Sequence, residues 1–340
     1  MRSCEVPCMP SLVVVGGFFG DEGKGKIISY LAIKDNPTIA VRGGAGPNAG
    51  HTIEHENKKY KVRMLPSAFL NKNIRLLIGP GVVVSPEVLL KEIEEFGVSD
   101  RAFVDFQCGI IEESHKMVDS QGRLKDSIGS TGSGTGPANA DRAMRTLKLA
   151  KDIDSLALYL EDVPNAVNFA LERKENVLVE GTQGTFLSLW HGTYPYVTSK
   201  DVTASGICSD IGLGPKNVTD VMVVFKSYVT RVGTGPLKSE LSPEQTKAKG
   251  WQEVGTVTGR ARRAAEFDFD LAKRAIMLNS ATQIAITKLD ILYPECAHMN
   301  SFGDLSSPAK HFIKTIEDQL RVPVTIIGTG PDVNDIIDRR

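Results

Sequence analysis

Short β-branched apolar runs alternate along the chain with stretches whose apolar residues recur at helical spacing. LVVV (12–15) reads as a buried strand, followed by a glycine loop and a helix from about Lys24 to Ile33. TIAV (38–41) predicts a second strand that runs into another glycine loop. IRLLIGPGVVV (74–84) holds strand-like runs, and Pro86 opens an amphipathic helix to about Phe96. NVLVEG (176–181) and DVMVVF (220–225) predict further strands, and a helix is expected over about Phe267 to Ser280. QIAITKLDIL (283–292) reads as a strand running into a loop. A helix around Ala309 to Leu320, strand VTII (324–327) and loop GTGP (328–331) repeat the scheme. This alternation predicts an α/β fold, a large mostly parallel central sheet flanked by helices. Residues 1–8 are expected to be a disordered tail and 9–340 one large domain. Six apolar runs end in loops bearing Gly, Asp or Gln, and in parallel sheets ligands gather at those ends.

Composition narrows the function. Lys plus Arg is 40 against 41 Asp plus Glu over 340 residues, a net charge of −1, so no bulk basic field exists to hold nucleic acid or an anionic membrane. With 41% hydrophobic and 24% charged residues the chain is expected to fold as an ordinary globule. No apolar run approaches the roughly 18 residues of a membrane span. Cys4, Cys8, Cys108, Cys208 and Cys296 form no CxxC pair and no zinc spacing, which fits reduced thiols and a cytoplasmic protein. The 32 glycines are the excess, and they cluster in loops.

VVVGGFFGDEGKGKI (13–27) is strand, glycine loop and helix start. Uncrowded N–H groups at a helix start bind phosphate oxygens, and a lysine there adds a point charge. Gly20 to Lys26 satisfies GxxxxGK, but Ile27 stands where a Walker A loop carries Ser or Thr, and Phe18 breaks a GxGxxG pattern. The loop is therefore P-loop-like but variant. Its acidic pair, Asp21-Glu22, makes chemical sense beside phosphates if it holds Mg²⁺ or takes a proton.

GDEGKGK (20–26) resembles a signature of the adenylosuccinate synthetase family, which joins aspartate to inosine monophosphate (IMP) using GTP. NAGHT (48–52) resembles that family's second signature, and IGSTGSGTGPA (128–138), EGTQG (180–184), HGTYPYVTS (191–199), GLGP (212–215), TRVGTGP (230–236), TGRARR (258–263), TKLD (287–290) and TGP (329–331) follow in the family's order. Departures are Phe18-Phe19 in place of Gln-Trp, Gly46-Pro47 before NAGHT, and Ser133 in place of an arginine. The chain is shorter than most members and looks like the compact form of some archaea.

The resemblance implies a reaction through 6-phosphoryl-IMP and a set of residues for it. Asp21 is implied as base and Mg²⁺ ligand, the Gly50 carbonyl as second ligand, and His51 as an acid at the phosphoryl group; Gln183 joins them as catalytic. Implied GTP contacts are Gly20, Glu22, Gly23, Lys24, Gly25 and Lys26 on the first loop, with Gly50, His51 and Thr52 on the second. Arg262, Lys288, Leu289, Asp290, Thr329, Gly330 and Pro331 complete that set. IMP is expected at Asp21, Lys24, Asn48, Ala49, Gly50, His51, Thr131, Gln183, Thr198 and Arg260. Arg145 would reach the IMP phosphate of a neighbouring subunit, making the homodimer part of the site. The aspartate loop matches Val257, Thr258, Gly259, Arg260, Ala261, Arg262 and Arg263, whose guanidinium forks suit a substrate with two carboxylates. At TKLD a carboxylate on Asp290 can accept two hydrogen bonds from guanine, and losing both disfavours ATP by roughly 3–6 kcal/mol. Two other readings stand beside this one: a GTP-binding switch, from the glycine loop with TKLD, and another GTP-dependent ligase on the same scaffold.

Overall fold

A computed structural model describes residues 10–121, 128–253, 259 and 261–340. The expectation for residues 1–8 lies outside the described residues. Among the described residues the main sheet has ten strands. From edge to edge they are Ile336–Asp338, Val324–Gly328, Gln283–Thr287, Asp220–Lys226, Ser11–Gly16, Val177–Glu180, Ile39–Arg42, Arg75–Ile78, Ala102–Asp105 and Leu160–Glu161. Neighbours run parallel throughout, except that Ile336–Asp338 is antiparallel to Val324–Gly328. The α/β architecture read from the sequence is the one observed.

The central strands are apolar along their middles, with polar residues at their ends, because both faces of the sheet are covered. Side chains alternate between faces along a strand. Val13 and Val15 therefore join one core with Val179, Val223 and Ile286, while Leu12 and Val14 join the other with Leu178, Val224 and Ala285. Helices supply the far wall of each core: Ala272 and Ala275 of Phe269–Asn279 and Ile313 of Ser307–Leu320 on the first, Ile27, Ile28 and Leu31 of Lys24–Asp35 on the second.

Because the strands are parallel, their carboxyl ends share one edge of the sheet. Ser11–Gly16 opens into the Gly17–Gly23 loop, Ile39–Arg42 into the loop that holds NAGHT, and Val177–Glu180 into Gly181-Thr182-Gln183. Gln283–Thr287 ends at Lys288, and Val324–Gly328 at Thr329. Two antiparallel ribbons stand above this edge, His51–His55 with Lys58–Val62 and Val229–Val232 with Arg262–Ala265.

Candidate active site

The first loop closes on its own acidic residue. The N–H groups of Phe18 and Gly20 donate to Glu22 Oε1 at 3.0 and 2.8 Å, and Lys24 Nζ donates to Glu22 Oε2 at 2.9 Å. Glu22 is thereby buried as the brace of the loop, and its neighbour Asp21 turns toward the cleft at φ 61°. Lys24 also donates to the Gln183 carbonyl, which ties this loop to the EGTQG loop. Lys26 Nζ reaches away from the phosphate loop, donating to the carbonyls of Gly330 (2.6 Å) and Asp335 (2.8 Å). Burial lowers its pKa to about 8 against the pull of Asp335 and Asp290.

The NAGHT loop packs directly on the start of helix Lys24–Asp35. A Cβ on Gly25 would lie 2.8 Å from His51 Cβ, so only glycine admits the histidine there. Arg42, fully buried, donates to the carbonyls of Leu65 (3.1 Å) and Ala49 (3.2 Å) and so fixes the chain just before Gly50. His51 Nδ1 lies against Glu180 Oε1 and 3.1 Å from Ser67 Oγ. Burial holds the His51 pKa below its ordinary value, with Glu180 working in the opposite sense. For Glu180 burial pushes the pKa up, but His51, Arg42 and the Ser67 N–H together bring it below the usual carboxylate range.

Gln183 also has a left-handed backbone, φ 51°, and its Oε1 accepts from Thr182 Oγ1 while Nε2 finds no protein partner. Asn48 Nδ2 donates to Thr198 Oγ1 at 3.3 Å and Asn48 Oδ1 has no partner. Buried polar groups are normally satisfied, and these two unmatched atoms belong to residues that line the same cleft.

One cleft of about 2180 Å³ brings these residues together. Asp21, Asn48, Ala49, Gly50, His51, Thr52, Thr131, Gln183 and Thr198 line it, with Gly20, Gly23, Lys24, Gly25 and Lys26 of the phosphate loop and Lys288, Gly330 and Pro331 beyond. Gly259, Ala261, Arg262 and Arg263 line it from the ribbon side. Arg262 Nε lies 2.9 Å from Asp21 Oδ2, and its Nη1 donates to Glu253. Arg263 is committed elsewhere, to Glu240 Oε1 at 2.8 Å and the carbonyls of Gly233 (3.0 Å) and Gly235 (2.8 Å). Val257, Thr258 and Arg260 lie outside the described residues. Leu289 is buried in the core and Thr329 is held by Asp335 and Met299, so neither side chain meets the cleft. Asp290 Oδ1 has no partner, and burial raises the Asp290 pKa against the opposing charge of Lys288. Arg145 is exposed at the end of helix Thr135–Met144, away from the cleft lining.

Two carboxylates escaped the sequence reading, Glu180 and Glu253. Glu180 belongs to the EGTQG motif, but its partners His51 and Ser67 lie more than a hundred residues away, so no local signal exposes it. Glu253 receives Tyr228, Lys226 and Arg262, and the charges of Lys226, Arg262 and Lys288 draw its pKa down to about 2 although burial opposes them.

A parallel sheet whose glycine loops gather a carboxylate, a histidine and an unmatched amide around one cleft defines a phosphate-binding α/β enzyme. The family model described as adenylosuccinate synthetase matches residues 13–154 and 146–295. The chain belongs to the adenylosuccinate synthetase family. Adenylosuccinate synthetases of Methanococcus maripaludis and Methanocaldococcus jannaschii are each 55% identical to it, over 98% of this chain and 100% of the first relative and 99% of both for the second. The fully ligated adenylosuccinate synthetase of Plasmodium falciparum is similar in structure, with TM-score 0.91 and 29% identity over 97% of this chain and 100% of that one. Cyanophage S-2L succinoaminodeoxyadenylate synthetase, bound to dGMP and dATP as an energy donor, matches with TM-score 0.80 and 27% identity over 97% of this chain and 95% of that one. The chain is accordingly a ligase of purine biosynthesis, in a family whose substrates are IMP, aspartate and GTP. The GTP-binding switch is not favoured.

Proposed function

We propose that the chain joins L-aspartate to C6 of IMP at the expense of GTP, with Asp21, His51 and Gln183 as its catalytic residues. Asp21 takes the N1 proton of IMP as O6 attacks the γ-phosphorus of GTP; the bond to the β–γ bridging oxygen breaks, leaving GDP and 6-phosphoryl-IMP. The aspartate amine then attacks C6 and phosphate departs, giving adenylosuccinate. Phosphorylation is needed because an oxo group is a poor leaving group, and the catalytic demand is positioning and charge stabilisation. The observation that carries this reading is the single cleft shared by Asp21, His51 and the unmatched Gln183 amide.

His51 serves as the donor to the transferring phosphoryl group. Burial disfavours its charged form; Glu180 opposes that, and the negative charge of a bound nucleotide would favour protonation further. Asp290 is the guanine acceptor and Lys288 its neighbour; Asn48, Thr131 and Thr198 hold IMP, and the ribbon arginines hold aspartate.

The donor set fits Mg²⁺. No cluster of three His, Cys, Asp or Glu able to hold a metal occurs among the described residues. The Asp21 carboxylate and the Gly50 carbonyl are two hard oxygens on neighbouring loops, and Mg²⁺ uses few protein ligands when phosphates complete its octahedron. When bound it supplies charge neutralisation on the phosphates. No helix among the described residues is long and apolar enough to cross a membrane; a cytoplasmic homodimer is the setting we propose.

The test is the absorbance of adenylosuccinate formed by purified protein. Product is expected only with IMP, aspartate, GTP and Mg²⁺ together, and GDP release should require IMP. GTP hydrolysis indifferent to IMP and aspartate would restore the switch reading. Preference for dGMP with dATP would move the substrate assignment toward the ligands of the cyanophage relative.

A further inference from the structure

Glu180 ends the strand Val177–Glu180 beside the central strand of the sheet, with no exposed surface. Both of its carboxylate oxygens are used. Oε1 faces His51 Nδ1 and accepts from Ser67 Oγ at 2.8 Å; Oε2 accepts from the Ser67 N–H at 2.6 Å. Each Glu180 oxygen already accepts from Ser67, so the contact with His51 is one in which Glu180 accepts and Nδ1 carries the hydrogen. The remaining ring nitrogen, Nε2, is then the one that can meet a ligand in the cleft lined by His51. Ser67 opens the short helix Ser67–Leu70, and two residues before it the Leu65 carbonyl accepts from the Arg42 guanidinium, so the segment that holds Glu180 is itself fixed.

We infer that Glu180 is the positioning residue of the reaction: it fixes the tautomer and the ring orientation of His51, and it touches no substrate itself. The inference rests on the reading of His51 given above. Glutamine is an informative replacement because its amide has one acceptor oxygen where the carboxylate has two. It can serve the Ser67 N–H or the His51 side, but not both.

The experiment compares wild type, Glu180→Gln, His51→Asn and the double variant in steady-state kinetics. Glu180→Gln is expected to lower kcat by roughly a hundredfold or more, in the range of lost acid–base assistance, while KM for GTP and IMP moves less than about threefold. The double variant should be no slower than His51→Asn alone, since groups acting as one unit are not additive. Losses that multiply, or a Glu180→Gln defect confined to KM, or an unchanged kcat, overturn the inference. Should Glu180→Gln fail to fold, ¹⁵N-histidine NMR of the wild-type protein decides, the His51 signals being assigned by their loss in His51→Asn. A proton on Nδ1 supports the inference and a neutral ring protonated only on Nε2 overturns it. Wild-type protein that makes no adenylosuccinate yet shows the Nδ1 proton would refute the proposed reaction and leave the Glu180–His51 pair standing.

Discussion

Asp21, Gln183 and Lys288 are left-handed at φ 61°, 51° and 61°, a conformation that costs a non-glycine residue on the order of 1 kcal/mol. Each follows the carboxyl end of a central strand, where glycine would be the relaxed choice, and each is a residue the proposed reaction uses. Asparagine tolerates this backbone well, so Asp21→Asn removes the charge and little else. Turnover is expected to fall below detection while calorimetry still records nucleotide binding; near-normal activity would remove Asp21 as the base. Asp290→Asn should weaken GTP and favour xanthosine triphosphate, whose 2-oxo group accepts from an amide, and competition between the two nucleotides measures it. At this scale the motifs were legible because glycine, acid and lysine crowd into seven consecutive positions. Glu180 and Glu253 were not, because what distinguishes them is a partner brought near only by folding.

Among elements, the ribbon that carries Arg262 stands on a buried ionic group. Lys226 ends its strand with 2% exposure, and Glu253 binds it at 2.8 Å together with Arg262 and Tyr228. Burial lowers the Lys226 pKa against the pull of Glu253, and Glu253, buried as well, is drawn down to about 2 by Lys226, Arg262 and Lys288. Because the folded pKa of Glu253 is depressed, the stability it contributes is complete above 4.5 and vanishes as pH falls toward about 2. Glu253→Gln should therefore be less stable than wild type near neutrality, and the gap in denaturant midpoint should close across that interval. A gap that persists at the acid end would dissociate Glu253 from the network. The central strands were readable from sequence because burial on both faces makes them continuous apolar runs. The helices Glu113–Ser120 and Thr135–Met144 were not, since their sequences are polar or glycine-bearing with a narrow buried stripe. The run 283–292 stops being a strand at Thr287, where left-handed Lys288 turns the chain into the short helix Leu289–Leu292.

At the scale of the whole molecule, the exposed Arg145 and the neighbouring Met144, 72% exposed, fit a surface that serves a second subunit. On the proposal that Arg145 completes a partner's cleft, Arg145→Leu and Asp21→Asn should each be inactive alone. Mixed and allowed to exchange, they should regain about a quarter of wild-type activity, since half of the dimers are hybrids and each hybrid has one intact site. Mixtures that stay inactive despite exchange would confine the site to one chain. The topology carries another consequence. Ser11 pairs with Val177 and Leu12 with Asp220, so the innermost strand meets its first neighbour only when about half of the polypeptide has been made and its second when about two thirds has. During synthesis its Leu-Val-Val-Val segment must be shielded by something other than its final partners, which makes the nascent chain a natural client of holding chaperones and ties yield to the pace of translation.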